Sequence, residues 1–161
     1  MNSSSEVSGM DELTQEQADA LITVEKVFVD SRPLIVNRPY KERRELKSKE
    51  NSADVFYLHI TQTAIEFGKF TSNTRFFTFP LIRLCIDKDA VHENPDTDEK
   101  ITGSHIHIFK EGFADTIAKP ISDYGFSSEN IIECIPKFLE ICNIEKIKIV
   151  DQTLLADNDG K

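Results

Sequence analysis

The stretch "LIRLCIDKDAVHENPDTDEKITGSHIHIFK", residues 81–110, carries the clearest fold signal in the chain. Both of its ends alternate with a period of two, and side chains two apart on a strand share a face. At the first end Ile82, Leu84 and Ile86 share one face, and Arg83, Cys85 and Asp87 share the other. At the last end Ile106 and Ile108 share one face, and His105, His107 and Phe109 share the other. The earlier run "ADVFYLHI", residues 53–60, repeats the pattern, with Phe56, Leu58 and Ile60 against Tyr57 and His59. Three strands of the same build predict a sheet with one aliphatic face for a core and one open face of mixed polar and aromatic groups.

Outward from this stretch, "LTQEQADALITVEKVF" (13–28) has Thr14 followed three residues later by Gln17, which fits a capping box, and predicts a helix from Gln15 to Val27. "SSENIIECIPKFLEICNI" (127–144) places Ile131, Ile132, Ile135, Phe138, Leu139 and Cys142 on one stripe at helical spacing, with Ser127 as cap and Pro136 expected to kink the helix or delay its start. "RPLIVNRP" reads as an edge strand between prolines, "KERRELKSKENS" (41–52) as a charged loop or exposed hairpin, and "TAIEFGKFTS" as a strand with Gly68 as a bulge. "RFFTFPLIRLCID" reads as one long strand broken at Pro80, and "EKIKIVDQ" as a last short strand. No strand–helix alternation is present. The expected fold is α+β: a mainly antiparallel sheet of about five strands, with an N-terminal and a C-terminal helix packed on one side. The expected organisation is a disordered tail over 1–10, one domain over 11–152 and a frayed tail over 153–161.

A chain of 161 residues, 39% hydrophobic and 29% charged, suits one soluble domain with a sizeable core. The net charge of −9 argues against general nucleic-acid binding, which draws on basic groups facing phosphates, and suits a basic protein partner. The charge is uneven. Residues 32–50 hold Arg32, Arg38, Lys41, Arg43, Arg44, Lys47 and Lys49, whereas 87–99 hold Asp87, Asp89, Glu93, Asp96, Asp98 and Glu99. The ordinary reading of each run is a solvated segment. Cys85, Cys134 and Cys142 form no Cys-x-x-Cys pair, so a thiolate-only zinc site is not expected; all three sit in apolar runs, as reduced core thiols do. No signal peptide and no run of ~18 apolar residues is seen, so no membrane partner is expected.

The chemistry-bearing groups converge on the open face: Tyr57, His59, Arg83, Asp87, His105 and His107, with His92, Asp96 and Asp98 at its rim on the long loop. His105, His107, Arg83 and Asp87 are candidate catalytic groups. His92, His105 and His107 are candidate ligands for a divalent metal, the one cofactor envisaged. Two strand histidines two apart reach one ion, but a third ligand is not fixed by the sequence. A structural or partner-contact role is the ordinary use of such a pair. Cys85 shares the face of Arg83 and Asp87, yet a buried thiol is a poor nucleophile.

The segment 81–144 resembles a family of phage and prophage proteins with no assigned function. The resemblance rests on Arg83, Asp87, His92, Asn94-Pro95-Asp96, His105, His107, the run Phe109-Lys110-Glu111-Gly112-Phe113, Asp115, Pro120 and "FLEICNI" at 138–144. The chain departs from the family pattern at Thr97, where glycine is expected, at Ser104, where proline is expected, and in lacking a tryptophan after Asp115. The resemblance implies a mobile-element origin and action in a bacterial cytoplasm, and no reaction.

Two functions follow as expectations. In the first, the protein binds and modulates a host protein, such as a nucleic-acid-binding defence factor, through Asp96, Asp98, Glu99, Lys110 and Glu111. In the second, it is a small hydrolase or nuclease, with His105 or His107 as general base and Arg83 or Lys110 steadying a phosphate; the basic 32–50 segment would then grip nucleic acid. An exposed sheet edge also permits a homodimer.

Overall fold

The structure, a computed structural model, describes residues 12–62 and 69–153. Seven strands pair in the order β1 (Lys26–Phe28), β3 (Tyr40–Ser48), β4 (Val55–Gln62), β5 (Phe70–Phe76), β6 (Phe79–Ile86), β9 (His105–Ile108) and β10 (Ala118–Pro120). Every neighbouring pair is antiparallel. Two small two-stranded sheets accompany it. β2 (Leu34–Val36) pairs in parallel with β11 (Ile149–Asp151), and β7 (Val91–Glu93) pairs with β8 (Lys100–Thr102) as a hairpin inserted between β6 and β9.

The mainly antiparallel mixed fold is as the alternation predicts, but the main sheet has seven strands rather than about five. Much of the difference lies in two places. "KERRELKSKENS" is not a loop: β3 runs through it and pairs with both β1 and β4. Its inward positions Tyr40, Arg44, Leu46 and Ser48 are buried while Lys41, Arg43, Glu45 and Lys47 face out. Arg44 hides the alternation. It is a charged residue at a core-facing position, satisfied by donating to the carbonyls of Asp30, Arg32 and Pro33 and by pairing with Glu42 at 3.3 Å. The second place is "RFFTFPLIRLCID", which is not one strand. It folds back through Phe77 (φ 52°) and Thr78, so β5 and β6 form a hairpin, with a register shift beside Pro80. The proposed bulge at Gly68 lies outside the described residues.

Helix α1 (Gln15–Thr23) begins with the capping box its sequence announces: Gln17 N–H donates to Thr14 Oγ1 at 3.1 Å, and Thr14 N–H donates to Gln17 Oε1 at 2.9 Å. It ends four residues before Val27. Val24 is extended, and Lys26–Phe28 become β1, because pairing with Leu46–Ser48 satisfies their backbone in the sheet. Helix α2 (Ile131–Ile141) is capped by Asn130, whose Oδ1 accepts from Ile132 N–H at 2.8 Å, not by Ser127; Pro136 sits inside it. Ala18 and Leu21 of α1 and Ile131, Ile135, Phe138 and Leu139 of α2 join one core with the aliphatic sheet face, Leu46, Phe56, Leu58, Ile60, Ile82, Leu84 and Ile106. The opposite face of the central strands carries the exposed and half-buried positions.

Lys26 ties the helices to the sheet. Its side chain is 1% exposed. Nζ donates to the carbonyls of Ile22 (3.0 Å) and Val24 (3.0 Å) at the end of α1 and of Cys142 (2.7 Å) at the end of α2, and lies 5.0 Å from the Phe56 ring centre. An ammonium here satisfies carbonyls that both helices leave without intrahelical partners and meets the negative end of each helix dipole. Burial pulls its pKa down to about 8, so it remains cationic at neutral pH. Lys26→Met keeps the stem and removes the donors. The expected loss is about 2–4 kcal/mol of unfolding free energy, measured by urea denaturation at pH 7; a loss below experimental error contradicts this role.

Candidate metal centre

The pairing of β6 with β9 sets Cys85 opposite His105 and Arg83 opposite His107. All four therefore stand side by side on the sheet's outer face. They are not open to solvent there: His105 is 6% and His107 1% exposed. The β7–β8 hairpin folds over them and lays His92 across both, with its ring centre 5.4 Å from His105 (stacked) and 4.8 Å from His107 (edge-on).

Residues of the Asn-Pro-Asp loop hold this lid. Asn94, buried, donates through Nδ2 to the Ala118 carbonyl at 3.0 Å and accepts from Ala118 N–H at 2.8 Å. Its amide stands in for a neighbouring strand on β10 and covers part of an otherwise free sheet edge. Asp96 pairs with Lys110 at 2.6 Å, and His92 Nε2 meets the Thr116 carbonyl at 2.8 Å. The left-handed residue of the loop is Asp98 (φ 62°), next to Thr97 at the position where glycine is expected; aspartate tolerates that conformation better than most residues.

One ligand atom each from Cys85, His105 and His107 lies within 4.8 Å of the other two. Zn–S and Zn–N bonds of about 2.3 and 2.05 Å put tetrahedral ligands about 3.3–3.6 Å apart, so the set has to draw in by at most about 1.5 Å to hold an ion. The tautomers suit it. His105 Nδ1 sits 2.9 Å from the Gly103 carbonyl, which accepts and cannot donate, so Nδ1 carries the proton and Nε2 presents its lone pair. That is the outer-shell contact a metal-bound histidine makes. His107 is more telling: neither of its buried ring nitrogens makes a hydrogen bond of full geometry, the Asp115 main chain supplying only a weak contact. Burial first, then the charge of Arg83 and the neighbouring histidines, pushes its pKa down to about 3, with the Asp115 main chain offsetting little, so the ring is neutral and ligand-ready. Burial also lowers the pKa of His105.

Arg83 does not pair with Asp87. It pairs with Asp115 (Nε to Oδ2 3.2 Å), donates to the Asp115 carbonyl, and points Nη1 at Cys85 Sγ, 3.5 Å away. Burial raises the Cys85 thiol pKa and Arg83 offsets part of the rise. A free thiol here stays protonated, whereas a metal-bound thiolate would have a guanidinium donor in place. Asp87 faces Lys69 at 4.0 Å instead, and the two help line a cavity of about 420 Å³ with Thr71, Cys85, Ala90 and His105. A larger cavity of about 600 Å³, lined by Pro136, Leu139, Ile144 and Ile147, lies at the far end of α2, away from the histidines.

The structure thus gathers His92, His105, His107 and Arg83, leaves Asp87 at the cavity wall, and keeps Tyr57 and His59 on β4, three strands from β9. Of the acidic candidates, Asp96 is bound to Lys110, Glu99 Oε1 lies 3.4 Å from Asn94 Nδ2, and Glu111 Oε1 accepts from Gln15 N–H, leaving Asp98 the most outward. Cys85 as a ligand was accessible to sequence parity, since it alternates with Arg83. Asn94 and Asp115 were not, because their roles arise from contacts 24 and 32 residues away.

A family model described as "Family of unknown function (DUF6978)" matches residues 13–144. No curated protein and no solved structure matches the chain.

The metal-free protein has a pH signature. The His107 pKa is depressed on folding from 6.5 to about 3, so below pH 6.5 the unfolded chain binds a proton the folded chain refuses. Stability therefore falls as pH drops from 6.5 toward 3. In chelator-treated protein, His107→Leu is expected to flatten this limb of the stability–pH curve relative to wild type; parallel curves contradict the assignment.

Proposed function

The chain belongs to that family of unknown function, and from its own geometry we propose that it is a small metal-dependent hydrolase, with one transition-metal ion, best matched by zinc, on Cys85, His105 and His107. The observation that carries the reading is His107: a buried imidazole with neither nitrogen in a well-formed hydrogen bond, its ligand atom within 4.8 Å of one from Cys85 and one from His105. Mixed thiolate and imidazole donors select zinc and related soft or borderline ions over magnesium or calcium. Three protein ligands leave a fourth position, the layout of catalytic rather than structural zinc. An ion in that position would bring the pKa of a bound water toward neutral pH. The cavity beside Cys85 and His105 gives a substrate access. Lys69 on its wall suits an anionic substrate group, and Asp87 suits acceptance of a proton from the bound water. In this reading the two histidines are ligands and not general bases.

A second reading, capture of a basic host protein by the acidic 87–99 segment, draws on the net charge of −9 and on the outward Asp98. It has less geometry behind it, because Asp96, Lys110 and Glu111 are engaged within the fold.

The test is metal content and hydrolysis together. Protein purified without an affinity tag should retain about one equivalent of zinc, and Cys85→Ser, His105→Ala and His107→Ala should each weaken binding by more than about 100-fold. The loaded protein should hydrolyse bis(p-nitrophenyl) phosphate, lose the activity to a chelator and regain it with zinc. Full zinc retention by the three variants, or hydrolysis indifferent to chelator, overturns the reading.

A further inference from the structure

The open face of the sheet continues well beyond the metal centre, and its composition is unlike that of the chain as a whole. Register places Arg43 (β3), His59 (β4), Asn73 (β5), Arg83 (β6) and His107 (β9) in one row across five strands. Strands about 4.8 Å apart make that row about 19 Å long. The row beside it toward the β3 N-terminus holds Lys41, Thr61, Thr71, Cys85 and His105, and the row on the other side holds Glu45, Tyr57 and Arg75. Lys47 ends the exposed side of β3. Between β3 and β5, then, Lys41, Arg43, Lys47 and Arg75 face Glu45 alone among the described residues, on a protein of net charge −9. The Arg43 guanidinium lies 4.4 Å from the Tyr57 ring centre, and burial, then the charges of Arg43 and Arg75, lowers the His59 pKa. Asn73 Oδ1, mid-row, is buried and without a partner.

We infer that this face is a binding platform for single-stranded nucleic acid, lying along the Arg43–His59–Asn73–Arg83 row and running to the Cys85–His105–His107 centre. The inference rests on the hydrolase reading for its direction, since it names a phosphodiester strand as the substrate, but binding itself needs no metal. Three features favour this occupant. Lys41, Arg43, Lys47 and Arg75 form a cationic cluster over β3 to β5 that suits phosphates. Tyr57 and His59 are half-buried rings on a flat sheet, the arrangement on which splayed bases stack. Asn73 Oδ1 is an acceptor that the fold leaves unsatisfied, which a base amino group would satisfy once the half-buried carboxamide turns outward. Nucleic-acid binding was set aside on net charge; most acidic residues of 87–99 lie on the hairpin and its turns, with Asp87 at the end of β6, while β3 places Lys41, Arg43 and Lys47 on one face. Of the other basic residues of 32–50, Arg32 pairs with Asp30, Lys49 pairs with Glu25, and Arg44 turns inward to the carbonyls of Asp30, Arg32 and Pro33.

The experiment is fluorescence anisotropy with chelator-treated full-length protein and a labelled oligo(dT) of about 15 nucleotides. A duplex of equal length and poly-glutamate serve as competitors. Expected is binding to the single strand that weakens with salt, at a slope of about −0.7 for each phosphate contacted. Arg43→Gln with Arg75→Gln should flatten that slope by one to two contacts, and Tyr57→Ala should cost about tenfold in affinity with the slope unchanged. Glu45→Lys should tighten binding and steepen the slope, a gain that misfolding cannot produce. No binding, binding indifferent to these variants, or displacement by poly-glutamate as effective as by unlabelled oligo(dT) overturns the inference, the last by assigning the face to an acidic protein. Zinc retention, measured separately, distinguishes failure of the platform from failure of the metal centre.

Discussion

The register of β6 against β9 is the constraint on which the rest depends. Ile82, Leu84, Ile86 and Ile106 point into the core and are essentially unexposed. Each is worth about 1.5–3 kcal/mol when buried, and a one-residue slip of either strand would turn its aliphatic side to water. The hydrophobic effect thus holds Cys85 opposite His105 and Arg83 opposite His107 with several kcal/mol in reserve, although none of these four side chains contributes to that core. The polar face is built by the apolar one, and the candidate metal centre inherits its geometry without a loop having to supply it.

What the sheet does not supply is cover, and the β7–β8 hairpin provides it at some energetic cost. It buries two imidazoles, and a buried polar atom with no partner costs about 1–3 kcal/mol. The lid is fixed from outside the site, by Asn94 on β10, Asp96 on Lys110 and His92 on Thr116. The turn after β9 is likewise clamped to α1, where Glu111 and Gln15 exchange backbone-to-side-chain hydrogen bonds and Gly112 N–H donates to Glu12. So the long motif around the histidines is largely scaffolding: its Asn and Asp hold the cover, its Glu holds the turn after β9, and Cys85, His105 and His107 are the groups whose ligand atoms are gathered beneath the cover. An arrangement that spends so many contacts on burying unpartnered donors and acceptors gains most when an ion takes them up.

The sequence was legible where burial alone decides. Alternation gave the faces in 53–60 and 81–87, and the Thr14–Gln17 spacing gave the start of α1; in 104–109 it separated the isoleucines from the histidines but did not show that His105 and His107 are covered or that Phe109 joins the core. It misled where a polar side chain substitutes for an apolar one. Arg44 and Lys26 sit in or against the core because backbone carbonyls from distant segments satisfy them, and no local pattern records that. Each hid a strand, β3 in one case and β1 in the other. The candidate site divided the same way. The histidines and Arg83 were visible from parity; the partner of Arg83 was not, because Asp115 reaches it only once β9 and the turn beyond it have folded back.

The most direct test of the metal centre is X-ray absorption at the zinc edge of the loaded protein. The account requires one sulfur at about 2.3 Å and nitrogen or oxygen neighbours at about 2.0–2.1 Å, including two imidazoles, with the sulfur shell gone in Cys85→Ser. A first shell of nitrogen and oxygen only in the wild-type protein would place the ion elsewhere, and would return Cys85, His105 and His107 to the scaffold.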